Sequence, residues 1–460
     1  MLRPVKPGGP GGSAQEPQHV QDCLSNFHAS LTDRRPLGIA VSGGSDSLGL
    51  LYGLASLLPP EKLVVLTVDH GLRRASADEA RWVKAQCRRL GIRHETLKWE
   101  GCKPASGVQA AARAARYRLL VEASAKLGLA AVLTAHTRDD QNETVMMRRA
   151  RTSSEDAPGL AGIPAATLFD GRMWVLRPML GLCRETVRTF LRNQAVCDWI
   201  EDPSNADTQF ERVRVRAQLN EAAGEVAVPD GSHIAEMRFR LASRAAQWID
   251  AGCHVHADGL VWMRNWETAP TDVVSAALEA IIDWQGGAVR PLDRRGKATL
   301  EGFLSLAARN NRDTTVSLGR SLLQRRGACL NVRRECRDIG TLVLEPGQTG
   351  VWDRRFLIRN ISRHSPLVVS GGGKNGVLPR FGRDQGECSS LVSKDDGVIG
   401  GFICQPLLGR SSHILPVDQL PVAQALARLA SHTALPQCPW GNSGSVPGLT
   451  VIKVQAQTPS

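Results

Sequence analysis

From Leu37 to about Asp140 the chain alternates between two patterns of apolar and polar residues. Short runs at Leu37–Val41, Leu63–Val68, Arg93–Trp99 and Ala130–His136 read as strands. Between them, apolar residues recur at helical spacing: a run starting at Leu48, one from Ala77 to Leu90 stopped by Gly91, and an alanine-rich one from Gln109 to Leu127 stopped by Gly128. This β-α-β-α rhythm predicts an α/β domain with a parallel sheet covered on both faces. Such sheets bind ligands beyond the C-terminal ends of their strands, where most of the distinctive polar clusters fall.

Farther along, Arg172–Arg177 suggests one more strand and Cys183–Gln194 a helix, with a boundary near 222. From about Ile234 to Arg309 the chain reads as mainly helical, and from Leu318 to about Ile361 as short strands. The expected organisation is a flexible tail over 1–30, the α/β domain over 31–222, a helical or mixed domain over 223–345 and a C-terminal region over 346–460. The tail is inferred from the Pro- and Gly-rich stretch Met1–Gln18, which lacks an apolar signal core. A formal G-x-G-x-x-G at Gly371, Gly373 and Gly376 precedes no helix pattern and reads as a turn.

Charge narrows the class of partner. A net charge of +12 with a pI near 9.5 favours an anionic partner, nucleic acid first, although solubility alone also accounts for it. With 5% aromatic residues, broad stacking platforms for single strands are not expected. The 11 cysteines contain no C-x-x-C pair, which fits a reducing cytoplasm rather than a disulfide framework or zinc ribbon. No apolar run reaches membrane-spanning length.

The first strand runs straight into Ser42-Gly43-Gly44-Ser45-Asp46-Ser47 and then a helix. A glycine-rich turn at a helix N-terminus presents backbone N–H groups to an anion. Asp46 beside a polyphosphate calls for a cation such as Mg²⁺ between them. The loop has neither the lysine of G-x-x-x-x-G-K-[ST] nor the spacing of G-x-G-x-x-G.

Four further clusters bear on chemistry. Asp69-His70-Gly71 closes the second strand, where a nucleoside would lie; a hydrogen-bonded histidine in a strand–helix turn fits equally. Arg113 and Arg116 share a helix face suited to phosphate, or are simply solvated. His136 ends a strand, and Asp140 and Glu143 share the face of the helix that follows. That carboxylate pair suits a cationic amine or Mg²⁺, with helix capping assigned to Asp139. After Glu201-Asp202-Pro203-Ser204-Asn205, the arginines Arg212, Arg214 and Arg216 suit a phosphate groove or a solvated basic stretch.

Taken in order, Ser-Gly-Gly-x-Asp-Ser, Val-Asp-His-Gly-Leu-Arg, Ala-Arg-x-x-Arg-Tyr, Thr-Ala-His-x-x-Asp-Asp-Gln-x-Glu-Thr and Glu-Asp-Pro-Ser-Asn resemble the tRNA(Ile)-lysidine synthetase family over about residues 36–220. The resemblance implies a PP-loop ATP pyrophosphatase fold (adenine nucleotide alpha-hydrolase-like) and a ligase using ATP and Mg²⁺. Its partners would be L-lysine and a tRNA(Ile) bearing a CAU anticodon, with a homodimer left open. Ser42, Gly43, Gly44, Ser45, Asp46 and Ser47 would hold pyrophosphate, with Asp46 as the metal ligand and Asp69 and His70 near the nucleoside. Asp140 and Glu143 would hold the lysine ammonium, and His136, with an ordinary pKa near neutrality, would take its proton. Arg113, Arg116, Arg212 and Arg216 would contact phosphates of tRNA or nucleotide.

Two departures stand out. The family's Arg-Gly-x-Gly is replaced by Arg148-Arg149-Ala150-Arg151-Thr152-Ser153, and its Arg-Asn-x-Ile-Arg by Arg212-Val213-Arg214-Val215-Arg216. Competing readings are a tRNA thiolase, against which the missing C-x-x-C counts, an amidotransferase-type synthetase, and a tRNA-binding protein without catalysis.

Overall fold

The computed structural model describes residues 16–73, 75–152, 157–201, 209, 211–221, 231–309, 312–372, 377–382, 388–389, 398–399 and 401–441. Two compact units divide the chain: residues 1–167, 172–235 and 438–460 form one, and residues 168–171 and 236–437 the other.

The first unit opens with helix α1 (Glu16–Ala29), where a tail was expected. Val20, Leu24 and Phe27 fall on one face of it and are fully buried, which is why the segment is ordered. Then come β1 (Leu37–Ala40), α2 (Ser45–Ala55), β2 (Leu63–Asp69), α3 (Ser76–Arg89), β3 (Arg93–Lys98), α4 (Val108–Leu127), β4 (Ala131–Leu133) and α5 (Arg138–Arg149). They are followed by β5 (Ala166–Phe169), β6 (Met173–Leu176), α6 (Arg184–Asn193) and α7 (Glu211–Glu221). The strand order is β5-β6-β4-β1-β2-β3, with β6, β4, β1, β2 and β3 mutually parallel. The anticipated parallel sheet is thus present, and β1 sits near its middle. The hairpin strand β5 was not anticipated. Trp440, from the far end of the chain, packs edge-on against Phe27 at 4.9 Å, so the C-terminal stretch does not form a separate region throughout.

Two glycines set how closely α2 is packed. A Cβ at Gly49 would lie 2.2 Å from Val187 Cγ1 of α6, and one at Gly53 2.4 Å from Leu24 Cδ1 of α1. Gly49→Ala gains about 1 kcal/mol in helix propensity. It should nonetheless destabilise the protein, because overpacking against a stiff β-branched neighbour costs about 1–3 kcal/mol. The expected result in thermal unfolding is a Tm lower by about 2–4 °C.

The second unit carries α8 (Ser232–Gly252), β7 (Cys253–Val255), β8 (Val261–Arg264), α9 (Thr271–Gly286), α10 (Arg294–Arg309), β9 (Thr314–Leu318), β10 (Ser321–Arg326) and β11 (Cys329–Arg334). Its first sheet is antiparallel in the order β7-β8-β11-β10-β9, so the mainly helical expectation for this stretch holds for α8–α10 but not for the strands among them. Two four-stranded sheets follow, built from segments between Leu342 and Pro406. They enclose a core that includes Trp352, Ile358, Val369, Phe381 and Phe402. The unit runs on to Gln437 without a division at 345/346, and the first division falls at 235/236 rather than at 222, which lies outside the described residues. Of the G-x-G-x-x-G glycines, Gly371 is in a strand that pairs antiparallel with Leu378–Gly382; Gly373 and Gly376 lie outside the described residues.

No helix among the described residues is long and apolar enough to cross a membrane. Cys23, Cys87, Cys102, Cys183, Cys197, Cys253, Cys329, Cys336, Cys404 and Cys438 are free thiols.

Candidate active site

The loop Val41–Gly44 links β1 to the N-terminus of α2. Gly43 has φ +92°, and a Cβ there would lie 2.4 Å from Ile200 Cδ1, so both conformation and space require glycine. Ile200 N–H donates to Gly43 O at 3.0 Å and fixes the loop from outside. Gly44 caps α2 without any side-chain hydrogen bond, which leaves the first-turn N–H groups for an anion. Ser47 Oγ accepts from Ser42 N–H at 3.3 Å and donates to Gly44 O at 2.9 Å. Arg188 Nε donates to Ser45 Oγ at 3.3 Å.

Asp46 lies in the first turn of α2, where a carboxylate complements the helix dipole. Burial nevertheless pushes its pKa up, opposed by Arg184, whose Nε donates to Asp46 Oδ2 at 3.1 Å. A half-buried carboxylate held against its own desolvation is a site that accepts a further cation. No cluster of three or more metal-ligating side chains exists among the described residues. Asp46, a single carboxylate beside an anion-binding loop, is the residue that would hold a cation carried in with a nucleotide.

Helix α5 brings the other carboxylates into the same cluster. Capping falls to Asp140 rather than Asp139: Thr137 N–H donates to Asp140 Oδ2 at 2.8 Å, closing a capping box. Asp139 instead accepts from Arg184 N–H at 2.7 Å, at the start of α6. Asp140 Oδ1 accepts from Arg212 Nη2 at 2.6 Å and Arg184 Nη2 at 3.3 Å. Glu143, with its side chain 2% exposed, accepts from Arg212 Nε at 2.5 Å and Arg216 Nε at 2.6 Å. Because α7 is helical, Arg212 and Arg216 share a face one turn apart, and Arg214 does not. Both arginines therefore meet carboxylates here, not open groove as expected. The predicted ammonium site is filled by guanidinium groups of the same chain.

His136 follows β4, and its Nδ1 lies 3.1 Å from Thr134 Oγ1. Burial, then Arg177, Arg212, Arg113 and Arg116, push its pKa down from 6.5 to about 3. That lowering works against the expectation that this ring collects a proton near neutrality. The unfolded chain binds that proton below about 6.5 and the folded chain only below about 3, so stability should fall as pH drops through this window. His136→Asn should lessen the loss measured by urea unfolding between about pH 7 and about pH 4.5, which covers the upper part of that window.

At the second strand end, Asp69 Oδ1 accepts from Gly71 N–H at 2.9 Å, a turn-forming role. His70 Nε2 lies 3.4 Å from Arg116 Nη2, its ring edge faces Trp99 at 6.1 Å, and its Nδ1 is buried without a partner. Arg113 lies over the Tyr117 ring at 5.0 Å. In the region departing from the family pattern, Arg148 Nη1 donates to Gly159 O and Gly162 O at 2.8 Å each, tying that loop to α5; residues 153–156 lie outside the described residues. So do Asp202, Pro203, Ser204 and Asn205.

Arg184 escaped the sequence reading, although it touches Asp46 and Asp140 at once. A signal was there: a cation in the first turn of a helix opposes the dipole and needs an acid nearby.

The fold and the glycine loop define an ATP-binding protein of the PP-loop class. The PP-loop domain family matches residues 16–223. The tRNA(Ile)-lysidine synthase of Rhizobium meliloti is 39% identical over 380 residues, covering 79% of this chain and 81% of its own. That of Mesorhizobium japonicum is 36% identical over 434 residues, covering 87% and 94%. Among solved structures, the U34-tRNA thiolase NcsA from Methanococcus maripaludis matches with a TM-score of 0.38 at 16% identity, over 46% of this chain and 73% of that one. The chain belongs to the tRNA(Ile)-lysidine synthase family.

Proposed function

We propose that the chain converts the wobble cytidine in the CAU anticodon of an isoleucine tRNA to lysidine at the expense of ATP. The observation that carries this reading is the uncapped N-terminus of α2 beneath Gly43 and Gly44, with Asp46, Asp140 and Glu143 gathered around Arg184. One end of such a site takes a polyphosphate and the other a cationic amine.

The cytosine 2-oxygen attacks the α-phosphate of ATP, and the bond to pyrophosphate breaks. The ε-amine of lysine then attacks the same ring carbon, and AMP leaves with the oxygen. Loop residues Ser42–Ser47 would hold the departing pyrophosphate by preorganised N–H and hydroxyl donors. Mg²⁺ bound with the nucleotide at Asp46 would offset charge on the phosphates. Asp69 and His70 would border the nucleoside. Arg212 is 44% exposed, so RNA phosphates can draw it outward and release oxygens of Asp140 and Glu143 for the lysine ammonium. Those carboxylates, rather than His136 with its lowered pKa, would then receive the proton that the amine must lose before it attacks. Arg216 would follow Arg212, while Arg113 and Arg116 would meet phosphates. We place the reaction in the cytoplasm and leave a homodimer open.

The test is incorporation of labelled lysine from a mixture of protein, ATP, Mg²⁺ and an isoleucine tRNA transcript bearing CAU, with a methionine tRNA as control. Label in the isoleucine tRNA alone supports the reading. Pyrophosphate release without label would reject lysine as the nucleophile, and neither signal from protein that binds tRNA would favour a non-catalytic role. Affinity for tRNA should fall steeply with salt as counterions are released.

A further inference from the structure

Arg177 follows β6 at the same sheet edge as His136, and its side chain is buried. Its Nη1 donates to Pro164 O at 2.8 Å and to Thr167 Oγ1 at 3.0 Å, and the Tyr117 hydroxyl accepts a further bond. Its Nε is buried with no partner. Among the described residues no carboxylate pairs with it. Burying a guanidinium with no counter-charge is costly, and natural structures keep such a charge only where something compensates it.

The charges near Arg177 have the same sign. Arg113 is one, stacked on the ring of the Tyr117 that Arg177 bonds. Arg177, Arg212, Arg113 and Arg116 all act on His136. Neither Arg113 nor Arg116 has a carboxylate partner among the described residues, and Arg116 Nη2 lies 3.4 Å from His70 Nε2. The contrast with the other end of the site is sharp: there Arg184, Arg212 and Arg216 each reach Asp46, Asp140 or Glu143. One end is charge-balanced within the protein. At the other, Arg113, Arg116 and Arg177 pair with no carboxylate among the described residues, and guanidinium groups of that kind suit phosphate oxygens.

We propose that Arg177 is the buried fixed charge of a second phosphate-binding subsite, distinct from the glycine loop, whose exposed groups are Arg113 and Arg116, beside the half-buried ring of His136. Arg177 is a positioning residue: it acts through Tyr117 and through its field, not by touching the ligand. The ligand chemistry is a phosphate ester, supplied either by the α-phosphate of the nucleotide or by a backbone phosphodiester of the tRNA. This inference deepens the proposed function, since it rests on a site that handles phosphates of both substrates.

The experiment compares the full-length wild type with Arg177→Lys, Arg177→Met and the double variant Arg113→Ala/Arg116→Ala. Thermal unfolding is followed in inorganic phosphate and in chloride at equal ionic strength, and equilibrium binding of ATP and of the tRNA transcript is measured for each. The glycine loop is intact in all four proteins, so its own phosphate binding cancels. Wild type and Arg177→Lys should show a phosphate-specific rise in Tm that the double variant and Arg177→Met largely lose. Arg177→Met should also bind one substrate about tenfold more weakly, a factor that corresponds to about 1.4 kcal/mol. A loss for ATP identifies the nucleotide phosphate, and a loss for tRNA alone identifies the backbone. Folded Arg177→Met with wild-type affinity for both substrates would overturn the proposal. Should that variant not fold, an undiminished phosphate effect in the double variant does the same. Lysidine formation is measured separately, so an active wild type with unaltered variants sinks only the subsite, and an inactive wild type that still shows the phosphate effect sinks only the proposed reaction.

Discussion

Asp46→Ala should remove tRNA-dependent pyrophosphate release, by about 10²–10³-fold or more, while the Kd for tRNA stays within about twofold. Asp46 is the acid of the glycine loop, and its burial makes ionisation costly, so the carboxylate serves to receive positive charge rather than to hold the fold. Without it, Arg184 Nε loses the partner it has at 3.1 Å and a metal arriving with ATP loses its protein ligand. Asp46→Asn keeps the shape and removes the charge, and should fail equally. Because burial raises this pKa, the active ionised form should be lost on acidification at a higher pH than for an ordinary aspartate. Pyrophosphate release measured with and without tRNA, beside filter binding of the tRNA, decides the matter. Near-normal release from either variant would end the metal role.

Glu143→Gln should separate the two half-reactions. Both oxygens of Glu143 are engaged by guanidinium groups in a nearly closed environment. An amide offers one acceptor and turns an NH₂ group toward a cation, an interaction that costs rather than gains. Lysine transfer should fall about 10²-fold, equivalent to about 2.7 kcal/mol, while pyrophosphate release persists. Denaturant stability should drop by about 2 kcal/mol, less than for a fully buried pair because Arg212 can turn to water. Equal loss of both half-reactions would mean that Glu143 serves the packing of α5 on α7 and not the amine.

The α/β domain was legible because each strand and helix announces itself within a few residues. Gly91 and Gly128 stop helices where the pattern breaks, and Ser42–Ser47 falls between a run of buried residues and an apolar helix start. Helix α1 was also present in the pattern, with Val20, Leu24 and Phe27 spaced along one face, but the Pro- and Gly-rich stretch before it obscured the signal. The later sheets were less legible, since their strands are short and their partners distant in sequence.

What the sequence determined by itself is local: the order of elements, the glycine at position 43 that only a left-handed turn explains, and the placing of Asp46 and Asp140 at helix starts. Tertiary structure decided which charges meet. Arg184 lies 138 residues from Asp46, and Arg212 lies 72 from Asp140, so no spacing rule connects them. It also decided that the pKa of His136 is lowered and that Arg177 pairs with no carboxylate among the described residues, because both follow from burial and from neighbours that separate strands bring together. Periodicity reports how a segment meets a core, whereas ionisation reports everything within a few ångströms, and only the folded chain fixes that.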